Sequence, residues 1–128
     1  MTNDPISDLL IRIKNGYLAR QDVVVVPHSN VKEALSRMLS HYGYIGTVKR
    51  VQNGRTISLE LVYRDGVPAL TDVKRISKPG LRRFVRSRDL GRLTRGLGHV
   101  ILTTPKGLKT HVEAKLEHVG GEILCAVW

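Results

Sequence analysis

Apolar residues near the start of the chain recur every three or four positions, a spacing that places them on one side of an α-helix. Asp4 can cap this helix and Pro5 suits its first turn, so the pattern predicts a helix over Pro5–Leu18. The β-branched run Val23–Val26 then predicts a short buried strand, which ends at Pro27 because proline cannot donate a ladder hydrogen bond.

A second amphipathic helix is predicted after Pro27, with Ser29 or Asn30 as its cap. Asn30 as the cap would place Glu33 three residues on, as in a capping box, and Gly43 fits a left-handed stop. One face of this helix is apolar and consists of Val31, Leu35, Met38, Leu39 and Tyr42.

A hairpin is predicted next, because the strand-like segments Tyr44–Val51 and Arg55–Tyr63 flank Asn53-Gly54. This dipeptide suits a two-residue turn, since both positions tolerate positive φ. Asp65-Gly66 is a second turn signal and the predicted boundary between domains. Residues 1–66 should therefore form a helix–strand–helix–hairpin module, and residues 67–128 a second module.

The second module is predicted to be mostly antiparallel sheet with one short helix, which makes the chain an α/β protein of the α+β type. Thr110 and Glu113 form a capping-box pattern that opens the helix, and Gly120 is its predicted stop. The helical side chains expected to face inward are Val112, Leu116 and Val119. The predicted strands are Leu70–Ser77, Leu81–Arg86, Gly98–Thr104 and Glu122–Val127, with Lys78-Pro79-Gly80 as a turn.

The positive charge of the chain is concentrated in this second module. The 128 residues carry 21 basic and 11 acidic side chains, a formal net charge of +10. The stretch 74–115 contains twelve of the basic residues and only two of the acids. The twelve basic residues are Lys74, Arg75, Lys78, Arg82, Arg83, Arg86, Arg88, Arg92, Arg95, Lys106, Lys109 and Lys115. Such a field attracts a polyanion, because Lys and Arg release condensed counterions when they neutralise phosphates. Composition therefore predicts a nucleic acid as the partner, with a basic surface that serves only solubility as the alternative.

Several classes of protein are excluded by the sequence. No apolar run reaches the roughly 18 to 20 residues of a membrane-spanning helix, and the N-terminus lacks the pattern of a secretory signal, so we expect the protein to stay inside the cell. Cys125 is the sole cysteine, which excludes an internal disulfide and a typical zinc site. The histidines lack metal-ligand spacing, and no nucleotide-binding glycine loop or nucleophile elbow occurs. We predict no metal, no cofactor and no catalytic residue; an RNA-processing enzyme with His99 or His111 as base is the enzymatic alternative.

The segment Thr103-Thr104-Pro105-Lys106-Gly107 is predicted to be the loop between a strand and the capped helix. Unpaired N–H groups at a helix start suit phosphate or ribose oxygens. Thr103 and Thr104 offer hydroxyls to bases and 2′-hydroxyls, and Lys106 offers a positive charge. Gly107 permits close approach of the backbone. The sequence favours an RNA-contact loop and an ordinary turn, whose threonines bond to nearby backbone, about equally.

Two further features of the basic module could contact a base. Glu122 could accept a hydrogen bond from an amino group of a base, although a salt bridge to a nearby arginine is the simpler interpretation. Strand alternation would place Phe84 on the same face as Arg86 and opposite Arg83. Phe84 and Arg86 could then meet a base by stacking, while burial of Phe84 in the core is an equal alternative.

Seven landmarks, spread over essentially the whole chain, are specific in their order and spacing. They are Asp4-Pro5-Ile6-Ser7-Asp8 before Arg12-Ile13-Lys14-Asn15, Val26-Pro27-His28-Ser29, Gly43-Tyr44-Ile45, Ser77-Lys78-Pro79-Gly80-Leu81-Arg82, Gly96-Leu97-Gly98, Thr103-Thr104-Pro105-Lys106-Gly107, and Gly120-Gly121-Glu122 before Cys125. Together they resemble a known family, the bacterial ribosomal protein S-eight of the small ribosomal subunit.

The resemblance implies a two-domain α/β protein that binds the central domain of small-subunit ribosomal RNA and helps that domain to assemble. It further implies a cytoplasmic location in the ribosome, neighbouring small-subunit ribosomal proteins as partners, no membrane contact and a monomer when free. In some bacteria, members of the family also repress translation of their own operon. The alternative that composition alone permits is a nonspecific nucleic-acid-binding protein.

The resemblance implies that the main RNA surface lies in the C-terminal module, where Glu122 matches the family's acid near the RNA. Asp4, Pro5 and Lys14 match an N-terminal region that meets a separate part of the RNA. Together, the residues and the resemblance give as rRNA-binding candidates Thr103, Thr104, Lys106, Gly107, Glu122, Phe84, Arg83, Arg86, Asp4, Pro5 and Lys14.

The chain departs from the family pattern at four of its positions. The family's loop usually reads Ser-Thr-Ser-Lys-Gly, so Pro105 removes a hydroxyl and a backbone donor. Phe84 replaces a tyrosine, which keeps stacking but loses a hydrogen-bond donor. His111 stands where aspartate is usual and Ala126 where an aromatic is frequent. We expect these departures to mark a divergent lineage rather than another function.

Overall fold

A computed structural model describes residues 4–93 and 98–128, which form two compact units, Asp4–Thr71 and Asp72–Trp128. Arg95 and the Gly96-Leu97 part of one landmark lie outside the described residues. The chain combines helices with antiparallel sheets, which confirms the predicted α+β class.

The first unit begins with α1 (Pro5–Leu18), β1 (Val23–Pro27) and α2 (Asn30–His41), and its three-stranded sheet is completed by β2 (Val48–Val51) and β3 (Thr56–Glu60) in the order β1-β3-β2. A short pair, β4 (Tyr63–Arg64) and β5 (Val67–Pro68), follows, and the turn Asp65-Gly66 joins these two strands inside the first unit. All of these pairings are antiparallel.

Local chemistry sets both helix starts in this unit. The Asp4 carboxylate accepts hydrogen bonds from the Ser7 N–H at 3.2 Å and from the Ser7 hydroxyl at 2.6 Å, so α1 begins as predicted. Of the two caps considered for α2, Ser29 is the one used, because its hydroxyl accepts from the Lys32 N–H. Gly43 has a φ of +83°, as expected for a left-handed stop.

Three predictions for the first sheet were wrong in detail. β1 is not buried on both faces: Val23 and Val25 are about half exposed, because its burial alternates along the strand. The hairpin turn has four residues instead of two, since Val51 pairs with Thr56. Hydrogen bonds from the Gly54 N–H to the Val51 carbonyl and from the Arg55 N–H to the Gln52 carbonyl close this wider turn. The preceding strand also starts later than predicted, at Val48.

A charge cluster around Glu33 of α2 is expected to make the stability of the protein pH-dependent. Hydrogen bonds from Arg50 and Arg37 to Glu33, and a weaker one from His28, lower the pKa of Glu33 from 4.5 to about 2. Because the folded pKa is depressed, this stabilisation is fully present above pH 4.5 and is lost as the pH falls towards 2.

We expect Glu33→Gln to be less stable than the wild type at pH 7, with a difference that shrinks as the pH drops from 4.5 to 2. Urea unfolding of both proteins across this range measures the difference directly. A constant gap between the two curves at all pH values would contradict the assignment of the cluster.

The second unit is built on one antiparallel sheet. Its strands are β6 (Val73–Arg75), β7 (Phe84–Val85), β8 (His99–Thr104), β9 (Gly107–Thr110) and β10 (Gly121–Val127), in the order β6-β10-β8-β9 with β7 also paired to β10. A 3₁₀ helix (Ser87–Arg92) and α3 (His111–Leu116) complete the unit. Its hydrophobic core contains Leu90, Val100, Leu102, Ala114 and Ile123. The predicted sheet and single short α-helix are thus present.

Several boundaries in this unit differ from the predictions. The predicted strands Leu70–Ser77 and Leu81–Arg86 shrink to β6 and β7, and the 3₁₀ helix and β9 were not predicted. The Thr110–Glu113 capping box is confirmed, with both of its hydrogen bonds formed. The left-handed residue after α3 is His118, at a φ of +56°, and Gly120 is not the stop.

The inward side of α3 was also predicted wrongly. Val112 and Leu116 are 51% and 75% exposed, whereas Ala114 is fully buried. Because α3 has only six residues, it presents little surface to the sheet, and Ala114 occupies that contact. Of the three residues predicted to face inward, only Val119 packs against the core.

The single thiol of the chain is enclosed in the protein. Cys125 is fully buried in β10, and burial raises the pKa of its thiol to about 12 although Arg75 acts in the opposite direction. We expect a thiol-specific reagent to modify the native protein at least about a thousandfold more slowly than the urea-unfolded protein, because the thiolate is scarce and enclosed. Rapid labelling without denaturant would contradict this expectation.

Candidate nucleic-acid interface

Three strands of the second unit bring three candidate side chains into one row. Glu122 on β10 pairs with Phe84 on β7 at one side and with Thr103 on β8 at the other. Residues directly opposite each other on neighbouring strands project from the same face of a sheet. Their neighbours Leu102 and Ile123 belong to the hydrophobic core, so this cross-strand row lies on the face away from that core.

Phe84 is 72% exposed, so its burial in the core, one of the two sequence interpretations, is wrong. The neighbouring Val85 packs against the core, and alternation along the strand then turns Phe84 outward. An exposed phenyl ring on a sheet face provides a flat apolar platform beside the Glu122 carboxylate.

Glu122 is held by an arginine that the site prediction did not include. Arg82 donates from Nη1 to the two carboxylate oxygens at 3.1 and 3.4 Å, and the Glu122 side chain is 11% exposed. The salt bridge considered from the sequence is therefore formed. Arg82 could have been found only from its place in the basic run, because the sequence does not show that its loop lies against β10.

The segment Thr103–Gly107 was predicted to be a strand-to-helix loop, and this was wrong. β8 ends at Thr104 and β9 begins at Gly107, so Pro105 and Lys106 form the turn of a β-hairpin. The helix α3 begins four residues later, and its unpaired N–H groups do not belong to this turn. The reason is that residues after Gly107 pair with β8 before the chain enters the helix.

This hairpin turn is organised by one hydroxyl. Thr104 Oγ1 donates to the Gly107 carbonyl at 2.8 Å and accepts from the Lys106 N–H at 3.1 Å. Thr104 therefore behaves as in an ordinary turn, with its hydroxyl bonded to nearby backbone groups. Gly107 has a φ of +101°, and a Cβ added there would meet no atom within 4 Å, so its backbone is open to an approaching molecule. Lys106 is exposed beside it.

The remaining candidates lie in two places. Arg83 and Arg86 are exposed on either side of β7, and the Arg83 N–H donates to the Ser77 hydroxyl at 2.8 Å, which anchors its backbone. Asp4 and Pro5 belong to the first unit, where they begin α1. Lys14 is half-buried on the same helix and borders a cavity of about 70 Å³.

His99 and His111, the two histidines considered as a catalytic base, lie near each other. The rings of His99 and His111 are 6.4 Å apart, and burial lowers the pKa of each. His111 Nδ1 accepts the Val100 N–H at 3.2 Å, so that nitrogen carries no proton. Residues 4–93 and 98–128 contain no group of three or more metal-ligating side chains. None of the helices within these ranges is long and apolar enough to cross a membrane.

The fold and this surface define a small, basic α+β protein with an exposed phenyl ring, a salt-bridged carboxylate and an open hairpin turn on one sheet. Residues 4–128 match the family model described as Ribosomal protein S8. The chain belongs to the ribosomal protein S8 family, which is structural and non-enzymatic, so the chain is not an enzyme. The alternative of an RNA-processing enzyme was wrong, and the resemblance found in the sequence is confirmed.

Individual relatives agree with the family match over all or nearly all of their length. The chain is 46% identical to the small ribosomal subunit protein uS8 of Chloroflexus aurantiacus, with 98% of each chain covered. It is 44% identical to the protein of the same name from Oleidesulfovibrio alaskensis and 41% identical to that of Persephonella marina, with the whole of each chain covered.

Proposed function

We propose that this chain is a structural constituent of the small ribosomal subunit, where it binds the central domain of the ribosomal RNA and helps that domain to fold. Its place would be in the ribosome, beside other small-subunit proteins, and we expect a monomer when it is free. The observation that carries the proposal is the cross-strand row of Phe84, Glu122 and Thr103. The open hairpin turn at Gly107 comes directly after β8, the strand that carries Thr103.

The chemistry of the row suits an RNA helix interrupted by unpaired bases. The major groove of A-form RNA is too narrow for side chains, so sequence-specific recognition uses unpaired bases, stacking and 2′-hydroxyls. Phe84 offers a stacking surface. The Glu122 carboxylate only accepts hydrogen bonds, which suits amino groups of bases and disfavours phosphates. Thr103 and the open backbone at Gly107 supply donors and acceptors near the strand end.

The basic side chains around the row would supply affinity without choosing the sequence. Arg83, Arg86 and Lys106 are exposed and carry charge that phosphates would neutralise. Phosphate contacts release counterions, so their share of the affinity falls as salt rises. Asp4, Pro5 and Lys14 would meet a separate RNA segment from the first unit.

The proposal is tested by equilibrium binding of the full chain to a transcript of the central domain and to a size-matched unrelated RNA across a salt series. We expect a preference of about a thousandfold for the central-domain RNA, retained as the salt concentration rises. Equal affinities that fall together with salt would reject the proposal. They would instead favour a nonspecific nucleic-acid-binding protein, which the concentrated positive charge alone would explain.

The same surface would serve repression of the chain's own message, a role that the family resemblance implies. Unlabelled transcript of that message should then displace the central-domain RNA from the protein. The Arg83→Ala and Glu122→Gln variants should each bind both RNAs more weakly, and by the same factor, because one site would serve both. Independent responses of the two RNAs would reject a shared site.

A further inference from the structure

A groove on the second unit remains outside the proposed RNA surface. It lies between the 3₁₀ helix and α3, has a volume of about 1050 Å³ and is open to solvent. Leu90, Val112 and Leu116 supply its apolar lining, and Leu116 is 75% exposed. Four basic or titratable side chains also line it, namely Arg88, His111, Lys115 and His118.

The groove and the cross-strand row lie on opposite sides of the sheet. The two helices that form the groove pack through Leu90 and Ala114 against Leu102 and Ile123. Glu122 and Thr103 alternate with those sheet residues and therefore project from the other face. A molecule in the groove would not compete with RNA bound at the row.

The charge of the groove is uncompensated by its own lining, which contains no carboxylate in the described part of the chain. The two acids of the α3 region are engaged elsewhere. Glu113 accepts the Thr110 N–H in the capping box, and Glu117 pairs with Lys109 at 3.1 Å. Asp89 belongs to the 3₁₀ helix but does not line the groove. Acidic groups on a binding partner would therefore meet a lining whose charged side chains are positive.

We propose that the groove between the 3₁₀ helix and α3 docks a segment of a neighbouring protein that combines acidic and apolar side chains. Exposed aliphatic groups such as Val112 and Leu116 gain little from phosphates and offer no aromatic face for a base. Apolar side chains of a protein would cover them, and carboxylates would pair with Arg88 and Lys115 at the rim. This inference rests on the proposed function, because it expects the neighbour in the same small-subunit particle.

The test places a photo-crosslinking amino acid, benzoyl-phenylalanine, at Leu116 of the full chain and irradiates purified small subunits that contain it. The matched control is the same substitution at Leu81, which is also exposed, at 55%, but lies outside the groove. We expect position 116 to cross-link to a protein segment containing acidic and apolar residues, and position 81 to give a different product.

A charge test separates the groove from general surface charge. Replacing Arg88 and Lys115 together by Ala should lower the cross-link yield at position 116 about threefold or more, because the rim charges would attract the partner. Replacing Lys74 and Lys78 by Ala removes the same charge from outside the groove and should leave the yield unchanged. Both double variants should retain central-domain RNA preference.

The outcomes distinguish this inference from the proposed function. Particles that contain the protein but give an RNA cross-link, or none, at position 116 would overturn the docking proposal and leave the proposed function standing. Equal loss of yield in the two charge variants would also overturn it. Failure of the chain to enter small subunits would overturn the proposed function and the docking proposal with it.

Discussion

The double variant Thr104→Ala/Gly107→Val should bind central-domain RNA about a hundredfold more weakly than the wild type, while Arg88→Ala should lose about threefold at most. Loss of the Thr104 hydroxyl removes both hydrogen bonds that shape the hairpin turn. A β-branched side chain at Gly107 is strained at a φ of +101° and fills the open space that RNA would approach. Arg88 lies in the groove on the other face, as one charge among many. Filter binding at fixed salt measures all three affinities.

The matched control for backbone strain is Gly66→Val. Gly66 has a φ of +79° and, like Gly107, has no atom within 4 Å of an added Cβ. Its substitution should therefore cost similar stability without changing RNA affinity. If the double variant lost no more affinity than Arg88→Ala, or if Gly66→Val lost as much as the double variant, the hairpin turn would not be part of the RNA site.

The second large effect is expected at Gly121, where the backbone of β8 lies close to β10. An added Cβ would lie 2.0 Å from the Thr103 carbonyl oxygen and 3.2 Å from the Thr104 Cα. These are backbone atoms, which cannot rotate away as a flexible side chain can. Gly121→Ala should therefore separate the strands and lower the free energy of unfolding by about 3 kcal/mol. Glu122 follows Gly121 and pairs with Thr103 across the two strands. Separation of the strands should therefore also weaken specific RNA binding.

Gly80→Ala provides the comparison for this variant in the same unit. Gly80 has no atom within 4 Å of an added Cβ and no positive φ. Urea unfolding should give Gly80→Ala a stability close to that of the wild type. Equal stabilities for Gly121→Ala and Gly80→Ala would show that the two strands tolerate the extra methyl group, contrary to the expectation.

Local sequence patterns were sufficient for features that short-range hydrogen bonds create. The start of α1 and the capping box at Thr110 could be read directly, because each cap lies three residues from its partner. The choice of Ser29 over Asn30 as a cap could not be read, because both side chains can accept the same kind of bond.

Features of the sheet depended on pairing between distant residues. β9 follows β8 directly and was missed, because its residues pair with β8 before α3 begins. The outward side of α3 was mistaken because an apolar pattern does not reveal how much sheet surface a six-residue helix can cover. In both cases, the partner surface decided what the local pattern left open.

The features of the candidate site can likewise be divided into those set by the sequence and those set by the tertiary structure. The sequence by itself determined the residue types, the concentration of positive charge and the family to which the chain belongs, because these depend on composition and order. Only the tertiary structure decided that Phe84, Glu122 and Thr103 stand in one row, that Phe84 faces outward and that Arg82 holds the acid. Strand register sets those contacts, and register arises from long-range hydrogen bonding and packing across the sheet.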